Sequence, residues 1–169
     1  MENPSETASA APVRFSEESL RRAREIIGRY PTRRAAVMPV LWLAQREFGW
    51  LSAEVQEHVA AILELPLSWV SGVASFYSMY YKKPVGRYHV QVCTNVSCML
   101  RGSDAIVCTL EERLGIRLGE TTPDGRFTLD EVECLASCGT APMMQVNEAY
   151  HERLDRDRTL ELIERLSQT

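Results

Sequence analysis

The stretch Tyr88-His89-Val90-Gln91-Val92-Cys93-Thr94-Asn95-Val96-Ser97-Cys98 decides how the second half of this chain folds. Its opening residues alternate and are rich in β-branched side chains, the pattern of a strand that delivers Cys93 at its end. Phe127 to Val132 repeats the arrangement, a second strand leading into Cys134-Leu135-Ala136-Ser137-Cys138-Gly139. Thirty-five residues separate Cys98 from Cys134, so a fold and not a local loop must bring the two pairs together. Between them, Ser103 and Asp104 are suited to cap a helix running to Leu114 and stopped by Gly115, and Pro123-Asp124-Gly125 marks a turn. Met143 to Val146 reads as a third strand, and Leu160, Ile163 and Leu166 lie on one stripe of a final helix. Strand, helix, strand, strand, helix predicts a small sheet covered by helices, as in thioredoxin-like folds.

Upstream the period is helical. Ser16 with Glu17 and Glu18 opens a helix carrying Leu20, Ala23, Ile26 and Ile27. A second is expected over Arg34 to Phe48, ended by Gly49, with Pro39 near its start and Val37, Leu41, Ala44 and Phe48 on one stripe. Ser52 and Glu54 open a third, bearing Val55, Val59, Ile62 and Leu63. Pro66 sits at the first turn of a fourth, with Trp69, Val70, Val73 and Phe76 on its apolar side. Short connections make this a helical bundle. The aromatic run Phe76 to Tyr81 is expected in its core, with part of it open to a partner. Pro84 and Gly86 mark a boundary, giving a tail over 1–14, a helical bundle over 15–83 and a second domain over 84–169.

The 169 residues, 45% hydrophobic and 25% charged, describe a globular chain of one or two domains. No apolar run approaches the length of a membrane span, so direct membrane insertion is not expected. Met1 to Pro12 is Ala, Ser, Pro and Glu, and reads as a disordered tail and not as a leader peptide. Up to Val85 there are ten basic and nine acidic residues, and from Gly86 onward nine and fourteen. An acidic second half without clustered Lys or Arg argues against nucleic acid as a partner. There is no glycine-rich phosphate loop, so the chain shows no sign of binding a nucleotide by itself.

Five cysteines without export signals point to a reducing compartment where thiols stay available to metal. Four thiolates at one point suit a structural zinc or an iron–sulfur cluster. Gaps of four and three residues within the pairs fit a zinc knuckle less well than gaps of two. The neighbours Val96, Met99, Leu100, Leu135, Met143 and Met144 suggest a water-poor shell, which favours the redox centre. Zinc and unmetallated thiols remain open on these grounds alone. Neither pair is Cys-x-x-Cys, which disfavours thioredoxin-type exchange. Cys108, in mid-helix, is expected to be a small buried hydrophobe. His58, His89 and His151 have no ligand spacing and are expected in structural or solvated roles.

Pro84 to Gly102, Gly119 to Leu129 and Val132 to Met143 together resemble the 24 kDa family of NADH:quinone oxidoreductase, the E-type component of respiratory complex I. Weaker similarity runs through Met38-Pro39-Val40-Leu41 and Ala74 to Tyr80. The resemblance implies an α+β chain, an N-terminal four-helix bundle followed by a thioredoxin-like α/β [2Fe-2S] ferredoxin domain. It implies one [2Fe-2S] cluster on Cys93, Cys98, Cys134 and Cys138, each pair holding one iron. The cluster would exchange single electrons with the FMN of an NADH-binding flavoprotein subunit, docked by the helical half, among further iron–sulfur subunits. The chain would then belong to an NADH dehydrogenase (quinone) without oxidising NADH by itself. It would be cytoplasmic, peripheral on the cytoplasmic face of the inner membrane through its complex. An NAD-reducing hydrogenase or an NAD-linked formate dehydrogenase uses a closely similar module, and a structural zinc protein with a four-cysteine site is the reading from another class. The family usually has Gly where this chain has Ala136, which puts the local geometry of that loop in question, and Pro142 is a candidate for a cis peptide.

Overall fold

A computed structural model of the chain describes residues 13–169; the disordered tail expected over 1–14 therefore lies, up to residue 12, outside the described residues. The chain divides into two compact units, Met1–Pro84 and Val85–Thr169.

In the first unit, Ser16 caps α1 (Glu17–Gly28) by accepting from the Ser19 amide. A 3-10 turn, Arg33–Ala36, capped by Thr32, leads into α2 (Val37–Phe48), so the expected second helix is two elements. Pro39 falls in the first turn of α2, where its missing amide costs nothing. Ser52 caps α3 (Ala53–Leu63), and Pro66 stands just before α4 (Leu67–Phe76). Ala23, Val37, Val40, Leu41, Ala44, Val55, Val59, Leu63, Val70 and Ala74 share one core with Phe15, and Val13, counted with the tail, packs against it. On α4 the expected stripe is wrong at both ends: Trp69 is exposed and Phe76 is 81% exposed, while Val70 and Ala74 are buried. The aromatic run also divides. After Tyr77 the chain is no longer helical, and Tyr80 alone turns fully inward, its hydroxyl donating to the Met38 carbonyl at 2.9 Å. Burial, with Tyr77 nearby, pushes the Tyr80 phenol up to about 12.

Buried Gln45 holds this non-helical segment. Its Nε2 donates to the Met79 carbonyl at 3.0 Å, and its Oε1 accepts from the Tyr81 amide at 2.6 Å. His58 does the same for the entry to α1, accepting from the Phe15 amide at 3.0 Å through Nε2.

In the second unit, β1 (Tyr88–Cys93) lies between β2 (Phe127–Val132), parallel to it, and β3 (Met144–Val146), antiparallel, with β4 (Ala149–His151) beyond β3. A short helix, α5 (Val96–Leu100), follows β1. Val90 and Val92 of β1 and Leu129 of β2 pack with Ile106 and Leu110 of α6 (Ser103–Leu114) and with Leu162 and Ile163 of α7 (Arg156–Ser167). At the N-terminal end of β1, a Cβ on Gly86 would come within 2.9 Å of the Phe127 carbonyl carbon, so only glycine fits there. Its amide donates to the buried Thr128 hydroxyl at 2.6 Å, tying the entry of β1 to β2. The sheet and both long helices match the sequence expectation. Two elements do not: α5 and β4 have no counterpart in it. The cap of α6 is Gly102 in a left-handed conformation, not Ser103, whose side chain is fully buried. Among the described residues no helix is long and apolar enough to cross a membrane.

Replacing Gln45 by Leu leaves a carbonyl and an amide without partners inside the first unit, at about 1–3 kcal/mol each. A loss of roughly 2–6 kcal/mol is therefore expected in urea denaturation, at unchanged slope. His58 is held below the ordinary imidazole range by burial first and the Arg14 charge second, with Glu47 opposing. Because the unfolded chain then takes up the proton first as pH falls, stability is present above about pH 6.5 and declines below it. The denaturation midpoint is expected to fall between about pH 7.5 and about pH 5.5, and to fall less in His58→Gln. An equal decline in that variant would exclude His58 as the titrating group.

Candidate metal centre

The parallel register pairs Cys93 with Val132, so the second cysteine loop begins beside the end of β1. Both loops emerge at the same end of the sheet, past the C-terminal ends of two adjacent parallel strands. Cys93 and Cys98 are buried, 3% and 1% exposed, against Ala141, Met143, Val132 and Leu135. Cys134 and Cys138 are exposed. Their Sγ atoms stand 3.8 Å apart. Two thiolates on one tetrahedral metal with bonds of about 2.3 Å stand about 3.8 Å apart, so this pair is spaced to share a metal. The Cys93 Sγ reaches the Glu133 carbonyl at 3.5 Å, linking the first pair to the second loop. Burial pushes the Cys98 thiol up to about 11, its hydrogen bond with Cys93 adds to this, a backbone hydrogen bond from Met143 opposes it, and Cys138 acts on it at longer range. Among the described residues no three Cys, His, Asp or Glu side chains converge on one point. The sulfurs are gathered as two pairs.

The first loop is tied to the end of β2. The Thr94 amide donates to the Val132 carbonyl at 3.1 Å, its hydroxyl to Glu131 at 3.3 Å, and the Asn95 side chain to Glu133 at 3.1 Å. Asn95 also caps α5, the short helix that carries Cys98. In the second loop Ala136 has φ +61°, and this left-handed turn brings its amide within 3.3 Å of the Cys134 Sγ. The Tyr150 hydroxyl donates to the Leu135 carbonyl at 2.8 Å. Ala141–Pro142 is a cis peptide. Glu131, Glu133 and Tyr150 were not expected at the site. Glu131 and Tyr150 reach it from β2 and β4, which no local pattern in the chain signals, whereas Glu133 directly precedes Cys134 and crosses to Asn95 of the first loop.

Two expectations need correction. The shell is not closed and apolar: Met143 and Met144 are buried, but Val96, Met99 and Leu100 of α5 face outward, Leu100 by 76%. Helix α5 is too short to turn all its apolar residues inward, and it buries Cys98 instead. Cys108 is exposed, because α6 buries the stripe of Ser103, Ile106, Thr109 and Leu110. It stands apart from the four paired cysteines. His89 is structural, as expected, its Nε2 lying 2.6 Å from an Asp130 oxygen across the β1–β2 pair.

Comparison with known proteins agrees with this geometry. A family model described as thioredoxin-like [2Fe-2S] ferredoxin matches residues 23–167. The second E-type NADH-quinone oxidoreductase subunit of Rhizobium meliloti (strain 1021) is 54% identical over 136 residues, covering 80% of this chain and 81% of that one. The E-type NADH-quinone oxidoreductase subunit of Rickettsia conorii (strain ATCC VR-613 / Malish 7) is 46% identical over 155 residues, 90% of this chain and 93% of its own length. An NAD+-reducing [NiFe]-hydrogenase in the air-oxidized state superposes with a TM-score of 0.66 at 25% identity, over 76% of this chain but only 22% of that one. A family defined by a [2Fe-2S] group fits the donors found here, four thiols in two pairs past the same end of two adjacent strands. With nearly its whole described length matched, the chain belongs to the thioredoxin-like [2Fe-2S] ferredoxin family.

Proposed function

We propose that this chain is the electron-transfer component of an NADH:quinone oxidoreductase, its E-type subunit, with Cys93, Cys98, Cys134 and Cys138 as ligands of one [2Fe-2S] cluster. The observation that carries the reading is that two cysteine pairs leave adjacent parallel strands at the same end, in a chain about half identical to such subunits along most of its length. When bound, the cluster supplies a one-electron store between two states. Cys93 and Cys98, which are buried, and Cys134 and Cys138, which are exposed, would hold it, the exposed pair being the one a donor or acceptor can approach. The Ala136 amide, aimed at the Cys134 Sγ, offsets the added negative charge of the reduced state. A [2Fe-2S] cluster passes one electron at a time, so the two-electron hydride chemistry of NADH would belong to a partner, an NADH-binding flavoprotein carrying FMN.

In this reading residues 15–83 are a four-helix bundle that docks the flavoprotein, with exposed Trp69 and Phe76 on α4 in the contact, and residues 84–169 are the cluster domain. Further iron–sulfur subunits complete the assembly, which holds the chain at the cytoplasmic face of the inner membrane. The hydrogenase superposition supports a second host, the NAD-linked module of a hydrogenase. Identities of 46% and 54% to the quinone reductase subunits, against 25% to the hydrogenase, favour the quinone reductase.

Two irons and two acid-labile sulfides per chain are expected on analysis. They should be lost when any of the four paired cysteines is replaced by Ala, and kept in Cys108→Ala. One zinc and no visible absorption would overturn the assignment, as would NADH oxidation by the isolated chain. The Ala136 turn gives a finer test. A left-handed conformation costs an L-residue about 1–2 kcal/mol, and Gly returns about 0.4–1 kcal/mol of that as extra unfolded-state entropy. Ala136→Gly is thus expected to leave thermal stability within about 1 kcal/mol of the parent. Ala136→Val, β-branched at positive φ, should lose about 1–3 kcal/mol and bleach at lower temperature. Thermal melts followed by cluster absorbance separate the two.

A further inference from the structure

The loop carrying Cys134 and Cys138 is gripped by residues that follow β3. Besides the Tyr150 bond to the Leu135 carbonyl, the Arg153 amide donates to the Thr140 carbonyl at 2.8 Å and the Leu154 amide to the Pro142 carbonyl at 2.9 Å. Between these lies Glu152. One carboxylate oxygen, Oε1, accepts from the Thr140 hydroxyl at 2.7 Å and from the Ser137 hydroxyl. The two hydroxyls stand 2.7 Å from each other, closing a triangle of oxygens around Cys138 in sequence, one residue before it and two after. Glu152 is fully exposed to solvent, yet these hydroxyls, with Arg153 behind them, hold its carboxyl below the usual carboxylate range. Nothing in the fold of the sheet requires an acid here. The 3-10 turn Cys138–Thr140 has no side-chain cap on its amides, and Glu152 holds it from outside by bridging the Ser137 and Thr140 hydroxyls on either side of Cys138.

The geometry points to Glu152 as the positioning residue of the metal centre: it fixes the turn that presents Cys134 and Cys138 as a pair and places a negative charge beside it. This rests on the assignment of the four cysteines made above. The two roles separate by substitution. Glu152→Gln keeps an acceptor oxygen for both hydroxyls but removes the charge, whereas Glu152→Ala removes both. Partners that orient metal ligands typically alter metal retention about 10- to 100-fold when lost. The reduced cluster carries one more negative charge than the oxidised one, so a nearby carboxylate disfavours reduction.

The test uses the full chain reconstituted with iron and sulfide. Measured are iron and sulfide content, the rate of iron release to a chelator, the EPR spectrum of the reduced state and the midpoint potential. Expected are a full complement of iron in all three proteins at the outset, release about 10- to 100-fold faster in Glu152→Ala, and release within about twofold of the parent in Glu152→Gln. The midpoint of Glu152→Gln should move to higher potential, more so at low ionic strength. A Ser137→Ala, Thr140→Val double variant should release iron as fast as Glu152→Ala, and adding Glu152→Ala to it should accelerate release no further. Equal release rates in parent and Glu152→Ala overturn the positioning role. A parent chain that holds no iron overturns the cysteine assignment itself, and this inference with it.

Discussion

The parallel pairing of β1 with β2 is the constraint from which the metal centre follows. Its six residue pairs run in register from Tyr88 with Phe127 to Cys93 with Val132. A slip of one residue would turn Val90, Val92 and Leu129 out of the core and carry Cys93 to the opposite face, so burial of these three holds the register. Gly86 enforces it from the other end, because its lack of a side chain lets the backbone pass against Arg126 and Phe127. A parallel pair needs a crossover, and α5 with α6 provides it, so Cys98 travels on the connection that makes the pairing possible. The hydrophobic core some distance away thus sets where the two cysteine loops begin, and the hydrogen bonds within and onto each loop set the rest.

That core gives the two pairs unequal surroundings. Cys93 and Cys98 are packed against Met143 and Ala141, while Cys134 and Cys138 face solvent, as do Val96, Met99 and Leu100 of α5, which form an apolar rim. A centre held deep on one side and open on the other suits electron exchange, since a partner can approach the outer sulfurs closely while the inner pair stays dry. The exposed rim residues are the wrong shell for an isolated protein and the right one for a surface covered in an assembly.

How far this was legible in the chain depends on the range of the interaction. β1, β2 and β3, α6, α7 and the four helices upstream were readable because their period is local, and so are caps such as Ser16 and Ser52, each of which accepts from an amide three residues on. The cysteine pairs were readable because their spacing is local as well. What escaped was set by distant partners. Phe76 and Tyr80 look alike in an aromatic run, and only the Met38 carbonyl, 42 residues away, selects Tyr80 for the interior. Cys108 looks like a core residue until α6 is seen to bury Ile106 and Thr109 instead. The left-handed Ala136 was suspect only by comparison with a Gly, and it is where local preference yields to the sulfur.

Charge completes the argument about what kind of electron carrier this is. Glu131 and Glu133 flank the first cysteine loop, Glu152 the second, and among the described residues no basic side chain bonds to either loop. Every one of these carboxylates makes the gain of an electron less favourable, and the exposed pair keeps enough contact with water to temper the effect. Opposing them are the Ala136 amide at the Cys134 Sγ and the backbone of Met143 at Cys98. The acids are long-range and screened by salt, whereas the amides act at contact distance and are not. The balance therefore tilts with exposure: a partner that covers the rim removes water and salt from the acids and deepens their hold on the potential. A carrier built this way is set by its complex as much as by its own ligands, and the same residues give a different potential free in solution than when the rim is buried.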